Sequence, residues 1–221
     1  MTANSPIKID LVALDRKASA RTAELVDLPI ISTVLRELTL NLSPELTYHS
    51  VEHTEDVIYE AVRFALFDGL EPRKIELIAI AAAYHDAGFL DTVTDNESYG
   101  AARAKQALLQ SGGYSSDEIE MVCLMIMDTR IVDDESGVQQ PSCPLSCYLL
   151  DADLANLGRE DCFKRADSMF QESGGDEQAF WERTKKLVER HSFLTRAAQV
   201  LRGEQKAENL IRLQESIKTC D

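Results

Sequence analysis

Four histidines occur in these 221 residues, and three of them fall in two short segments. Tyr84-His85-Asp86 ends the run at residues 75–83, Ile-Glu-Leu-Ile-Ala-Ile-Ala-Ala-Ala. An imidazole beside a carboxylate at the end of such an apolar run has to be explained. Burying an unpaired carboxylate costs several kcal/mol, so Asp86 requires a cation or strong donors. Upstream, His49 and His53 stand at i and i+4 in Tyr48-His49-Ser50-Val51-Glu52-His53-Thr54, a spacing that puts both rings on one face of a helix. Downstream, Asp151 and Asp153 interrupt an otherwise apolar stretch, residues 148–158. Imidazole nitrogen and carboxylate oxygen together suit a divalent transition ion. Taken alone, His85-Asp86 is equally a capped helix end; three helices carrying His or Asp on apolar backgrounds can converge on one ion.

The elements that must position these groups read as helices throughout. Residues 75–83 are apolar at nearly every position, which predicts a helix buried on all faces, too short to cross a bilayer. Glu71-Pro72 opens it and Gly88 is suited to end it. Ser43-Pro44 predicts the start of a long helix carrying both His49 and His53 and running to Phe67. Earlier helices are expected over residues 8–25 and 30–42. Later ones are expected over 98–109, 119–127, 147–157, 161–172, 177–193 and 204–218. Ser115-Ser116-Asp117-Glu118 reads as the N-cap and acidic first turn leading into the 119–127 helix, and Gly112-Gly113 stops the one before it. Met121, Met125 and Met127 read as core packing. Asp133-Asp134-Glu135 read as a solvated loop. Nothing alternates like a strand, and no repeat or linker is visible. The expectation is an all-α, single-domain helical bundle: residues 1–42 form helices packed on a core formed by residues 43–221.

A formal net charge of −15 argues against nucleic acid or an anionic membrane as partner. A small phosphate ester is still compatible, because one metal and one arginine outweigh diffuse surface charge. Met-Thr-Ala-Asn-Ser-Pro shows no signal-peptide pattern, and a cytoplasmic protein is expected. The five cysteines, Cys123, Cys143, Cys147, Cys162 and Cys220, make an odd count without a Cys-x-x-Cys pair. They read as reduced, structural thiols rather than a zinc cluster.

The ordered set His, then His85-Asp86-Ala87-Gly88-Phe89, then Asp151-Ala152-Asp153-Leu154 through Gly158 resembles the HD-domain metal-dependent phosphohydrolases. The similarity runs from about Ser43 to about Asn209. Its Tyr-His-x-x-x-His opening is also similar to that of cyclic-nucleotide phosphodiesterases. The resemblance implies an HD/phosphodiesterase-like bundle with His53, His85, Asp86 and Asp153 as metal ligands. One ion is not expected to take both Asp151 and Asp153, since i and i+2 point about 200° apart on a helix; the family motif selects Asp153 and leaves Asp151 a supporting carboxylate. Mixed ligation suits Mn, Fe, Co, Ni or Zn without choosing among them, and a second Mg or Mn bridged by Asp86 is compatible. The activity implied is hydrolysis of a small phosphate mono- or diester, a nucleotide by preference, with metal-activated water and His49 as general acid. His49 also reads as a core imidazole.

Thr129 and Arg130 are candidates for the substrate phosphate, although a solvated arginine is the commoner reading of Arg130. His191 matches a recurring family position and reads as structural, or as support for a ligand. Related proteins often carry an extra His-Glu where this chain reads Thr94-Asp95-Asn96-Glu97-Ser98. No histidine lies between His85 and His191, so a histidine-rich di-iron oxygenase site is disfavoured. The competing functional class is a non-catalytic HD module that senses a nucleotide or a partner protein.

Overall fold

The helix that carries His85 is the axis of packing. In the computed structural model, which describes residues 10–131 and 139–218, this helix spans Pro72–Tyr84. It follows α1 (Leu11–Val26), α2 (Pro29–Asn41) and α3 (Val51–Phe67), and is therefore α4. Ile75 and every residue from Leu77 to Tyr84 are buried, as the unbroken apolar run requires. Around α4 pack α2, α3, α5 (Asn96–Ser111), α6 (Ser116–Asp128) and α7 (Ser146–Asp153). The outer layer is α8 (Cys162–Ser173), α9 (Glu177–Arg190) and α10 (Arg196–Lys218). Two short 3-10 turns, Ala87–Leu90 and Ala155–Gly158, follow α4 and α7. Among the described residues there is no strand, and the fold is all-α. No helix is long and apolar enough to cross a membrane, among the residues described.

Several boundaries differ from the sequence reading, α7 among them, which ends at Asp153 rather than 157. α3 begins at Val51, not near Ser43: the Ser50 hydroxyl accepts from the His53 amide and caps the helix there. Residues 43–50 are irregular because the Tyr48 and His49 amides are spent on the Glu172 carboxylate, at 2.8 and 3.0 Å, instead of on a helix. α10 begins at Arg196 rather than 204 and runs through Gly203, a helix-weakening residue tolerated inside it. α9 stops at Arg190, where His191 turns to extended backbone. By contrast, Ser115 caps α6 with a reciprocal capping box to Glu118, as its sequence announces. The segment Asp133-Asp134-Glu135 lies outside the described residues.

Long polar contacts fix the outer helices to the core. Buried Glu60 on α3 bonds Arg202 of α10, while Arg63 bonds Asp15 of α1 at 2.7 Å. Asn209 on α10 donates to the carbonyls of Leu157 and Arg159, at 3.0 and 2.8 Å. Close backbone approach fixes the His85 end of α4. A Cβ on Gly100 would lie 2.5 Å from the Tyr84 carbonyl oxygen and 3.2 Å from that of His85. Only a residue without a side chain lets α5 lie against that corner.

The Gly100→Ala variant should therefore be destabilised by about 1–3 kcal/mol, the usual cost of overpacking a filled core. Gly203→Ala, whose Cβ meets nothing within 4 Å, should gain up to about 1 kcal/mol by helix propensity. Urea denaturation of both variants measures this, and equal midpoints would contradict the close packing at Gly100.

Candidate metal centre

His85 sits at the C-cap of α4, fully buried. Its Nδ1 lies 2.7 Å from the Ala82 carbonyl oxygen. That oxygen can only accept, so Nδ1 carries the proton and Nε2 presents its lone pair to the interior. Such a second hydrogen bond is how proteins orient a metal-binding imidazole. His53, in the first turn of α3, brings its Nε2 to the same point.

Asp153, the last residue of α7, supplies Oδ1 at 3.3 Å from His53 Nε2 and 3.6 Å from His85 Nε2. Asp86 Oδ2 lies 3.1 Å from His85 Nε2 and 3.6 Å from His53 Nε2. Two atoms each about 2.1 Å from one ion stand about 3.0 Å apart in octahedral and about 3.4 Å apart in tetrahedral geometry. Two of the observed separations, 3.1 and 3.3 Å, fall in that range, and the other two, both 3.6 Å, lie just beyond it. His53 Nε2, His85 Nε2 and Asp86 Oδ2 are all buried without a hydrogen-bond partner. Lone pairs facing one another out of water are costly unless a cation joins them. The group His53, His85 and Asp153, with donor atoms all within 4.8 Å of one another, can thus hold a metal ion, and Asp86 borders it.

The two aspartates of α7 have separate tasks. Asp151 turns away from the histidines: Oδ1 accepts from the Leu194 amide at 2.8 Å, and Oδ2 from the Thr195 amide at 2.7 Å. It fastens the entry to α10. Burial pushes its carboxyl up to about 6, against the pull of those two amides. Asp153 Oδ2 accepts instead from Gln139 Nε2 at 2.7 Å, which leaves Oδ1 for the centre. Burial also opposes ionisation of Asp153 and Asp86, but the histidines facing Asp153, and the charge of His85 beside Asp86, outweigh it and hold both below the usual carboxylate range. At His85 burial disfavours the proton, yet the Asp86 charge raises the pKa well above the ordinary imidazole value.

No protein-family model matches this chain, and no curated protein does. The centre is therefore read from its own geometry. His49 lies beside it, outside α3, its ring 6.1 Å from that of His53 and 4.5 Å from that of Phe89. Its Nδ1 bonds Glu172 Oε1 on α8. Burial opposes protonation of His49; the bond to Glu172 and the charge of Asp86 overcome this and raise its pKa. Side-chain exposure grades from 1% at His85 through 12% at Asp86 and 15% at Asp153 to 22% at His49. The centre thus opens to solvent on the side of the carboxylates and His49.

Other sequence candidates lie elsewhere. The Thr129 hydroxyl is buried and donates to the Ile126 carbonyl at 2.7 Å, and its own carbonyl accepts from Gln139. Arg130 is committed to Asp95 and, at 3.5 Å, to Glu97. Neither side chain joins the histidine group. His191 is buried against Phe193, with ring centroids 4.7 Å apart. The described cysteines carry free thiols and none enters the His–Asp group. Sequence reasoning missed Glu172 and Gln139. Glu172 sits on a polar helix among other acids, and Gln139 in a loop, so neither has a local signal.

Asp153→Asn should abolish binding of Co²⁺, whereas Asp151→Asn should chiefly lower the melting temperature; isothermal titration and thermal melts would show a reversed ranking if the assignment were wrong. Binding should also follow pH. The raised pKa of His85 stabilises the metal-free fold below the ordinary imidazole range, and this stabilisation is lost as pH rises through the folded value. Metal must displace that proton, so affinity should rise by about tenfold per pH unit until the proton is gone. A pH-independent Kd would contradict the arrangement.

Proposed function

We propose that the chain is an HD-type metal-dependent phosphohydrolase acting on a small phosphate mono- or diester, with nucleotides the first class to test. The carrying observation is the pairing of two unlike sites: a buried His–His–Asp group bordered by Asp86, and His49 held beside it by Glu172, whose carboxylate raises the imidazole pKa. His53, His85, Asp86 and Asp153 would hold the ion, and their mixed nitrogen and oxygen donors suit Mn, Fe, Co, Ni or Zn. A second ion, Mg or Mn, would draw on the Asp86 carboxylate, whose side chain is 12% exposed. When bound, a divalent ion acidifies water and offsets the negative charge of the phosphoryl group.

This chain's own residues supply the proton and its placement. His49 Nδ1–H is engaged by Glu172, which leaves Nε2–H as the proton available to a leaving oxygen. An imidazole whose pKa is raised by a carboxylate keeps its proton to higher pH, which favours the state that a general acid needs. Arg130 is already paired with acids, so His49 and the ion are the better candidates to meet the phosphate. A cytoplasmic setting fits the free thiols.

The test is a screen of nucleoside mono-, di- and triphosphates and cyclic nucleotides with Mn, Mg, Co and Ni. His49→Gln should lose about 10²–10⁴ in turnover while keeping its metal. Glu172→Gln should lose part of the same factor. The loss should be smaller for p-nitrophenyl phosphate, whose leaving phenolate needs little protonation, than for a ribose ester. A metal-replete His49→Gln protein with wild-type rates on both esters would remove His49 from the mechanism. Tight binding of a screened phosphate without turnover would favour the sensor.

A further inference from the structure

Gln139, which bonds Asp153, also lines a cavity of about 20 Å³ together with Leu150, Asp151, Leu154, His191, Ser192 and Leu194. Two polar atoms of its lining residues are buried and have no hydrogen-bond partner: Gln139 Oε1 and His191 Nδ1. The two residues are 6% and 5% exposed. Leaving such atoms unpaired costs about 1–3 kcal/mol each. A single water needs about 10–15 Å³ and two or more polar partners, and this cavity offers both.

We propose that one water in this cavity joins His191 Nδ1 to Gln139 Oε1, making His191 a positioning residue for the ligand Asp153. The chain of contacts is short. Gln139 Oε1 accepts from the water, and its Nε2 donates to Asp153 Oδ2 at 2.7 Å and to the Thr129 carbonyl at 2.8 Å. Those two acceptors already decide which end of the Gln139 amide faces Asp153, since rotation by 180° would put an acceptor against both. A partner on Oε1 holds the opposite end, so that the amide cannot swing off the carboxylate. His191 suits the other end of the link. Burial first, and the Lys206 charge next, hold its pKa down to about 4, so it is neutral and its Nδ1 can accept from or donate to a water. Its backbone is anchored too. The His191 carbonyl accepts from Lys206 Nζ, and Asp151 grips the Leu194 and Thr195 amides that follow it. The adjacent aspartates of α7 thus work together: Asp151 places the segment that carries His191, and His191 keeps Gln139 turned towards Asp153. A His191 that merely fills space would affect stability and leave the metal untouched.

The inference rests on the metal reading, and two measurements separate the failures. First, Co²⁺ is titrated into wild type, His191→Phe, His191→Asn, Gln139→Leu and the His191→Phe/Gln139→Leu double variant. Supporting partners of this kind typically change metal affinity by about 10–100-fold. His191→Phe should weaken Co²⁺ by a factor in that range. His191→Asn, whose side-chain amide lies near the former Nδ1, should come within a few-fold of wild type. The double variant should be no weaker than Gln139→Leu. A folded His191→Phe protein with wild-type Kd would overturn the proposal while leaving the metal centre intact. Second, a high-resolution crystal structure of the metal-free wild type should show an ordered water within hydrogen-bond distance of both atoms. This arm decides the case if His191→Phe fails to fold, or if the wild type binds no Co²⁺ and the metal reading falls by itself. A cavity without that water, and no direct Gln139–His191 bond in its place, would overturn the link.

Discussion

Two imidazole nitrogens with their lone pairs turned inward, facing two carboxylates inside a helical core, form the constraint on which the rest of this structure depends. In water each group would be solvated; here the surrounding helices remove that solvent and a cation must replace it. The core around them is correspondingly unforgiving. From Leu77 to Ala83, α4 is built of small and branched apolar residues, every one of them buried, and it packs closely on the helices around His85. Gly88 and Gly100 let neighbouring backbone close over the corner. The hydrophobic core thus does more than stabilise the fold, because it sets the separation of four charged or polar atoms.

Much of this was legible in the sequence, and for a physical reason. An acid or imidazole in an apolar helix is conspicuous, because its burial has to be compensated. His85, Asp86 and Asp153 are of this kind, whereas His53 stood out by its spacing from His49; His53, His85 and Asp153 form one cluster and Asp86 borders it. The opposition of Asp151 and Asp153 likewise follows from helical period, and the amides of Leu194 and Thr195 are what Asp151 faces instead. His49 illustrates the limit. Its spacing from His53 suggested a shared helical face, but the chain is irregular before Ser50. The reason lies 123 residues away, in Glu172, which takes up the two backbone amides a helix would have used. Long-range compensation of that sort leaves no mark near the residue it affects. Gln139 is invisible for the same reason, since its role exists only once α6 and α7 have met.

The charge on this chain is also better understood from its placement. A net charge of −15 suggests an inhospitable surface for any phosphate. Yet the arginines are largely consumed in local pairs: Arg159 and Arg165 with Asp56 and Asp161, Arg103 with Asp91 and Glu37, Arg73 with Glu76 and Glu118. These are partly exposed pairs and contribute little stability each. They do neutralise positive charge across the molecule, so the field near the His–Asp group is dominated by its own residues.

The grip of Glu172 on residues 48 and 49 has a consequence for how the molecule comes to be assembled. The ligands arise from α3, α4 and α7, which pack on one another in the interior, whereas Glu172 arrives on α8, an outer helix followed by the exposed Gly174-Gly175 turn. Loop length does not separate the two events, since His53 and Asp153 of the interior group are themselves a hundred residues apart. Depth in the fold does: an ensemble in which α8 has not docked would keep the four inward-facing atoms and lose only the grip on Tyr48 and His49. Local opening of α8 would free residues 48 and 49 in the same way.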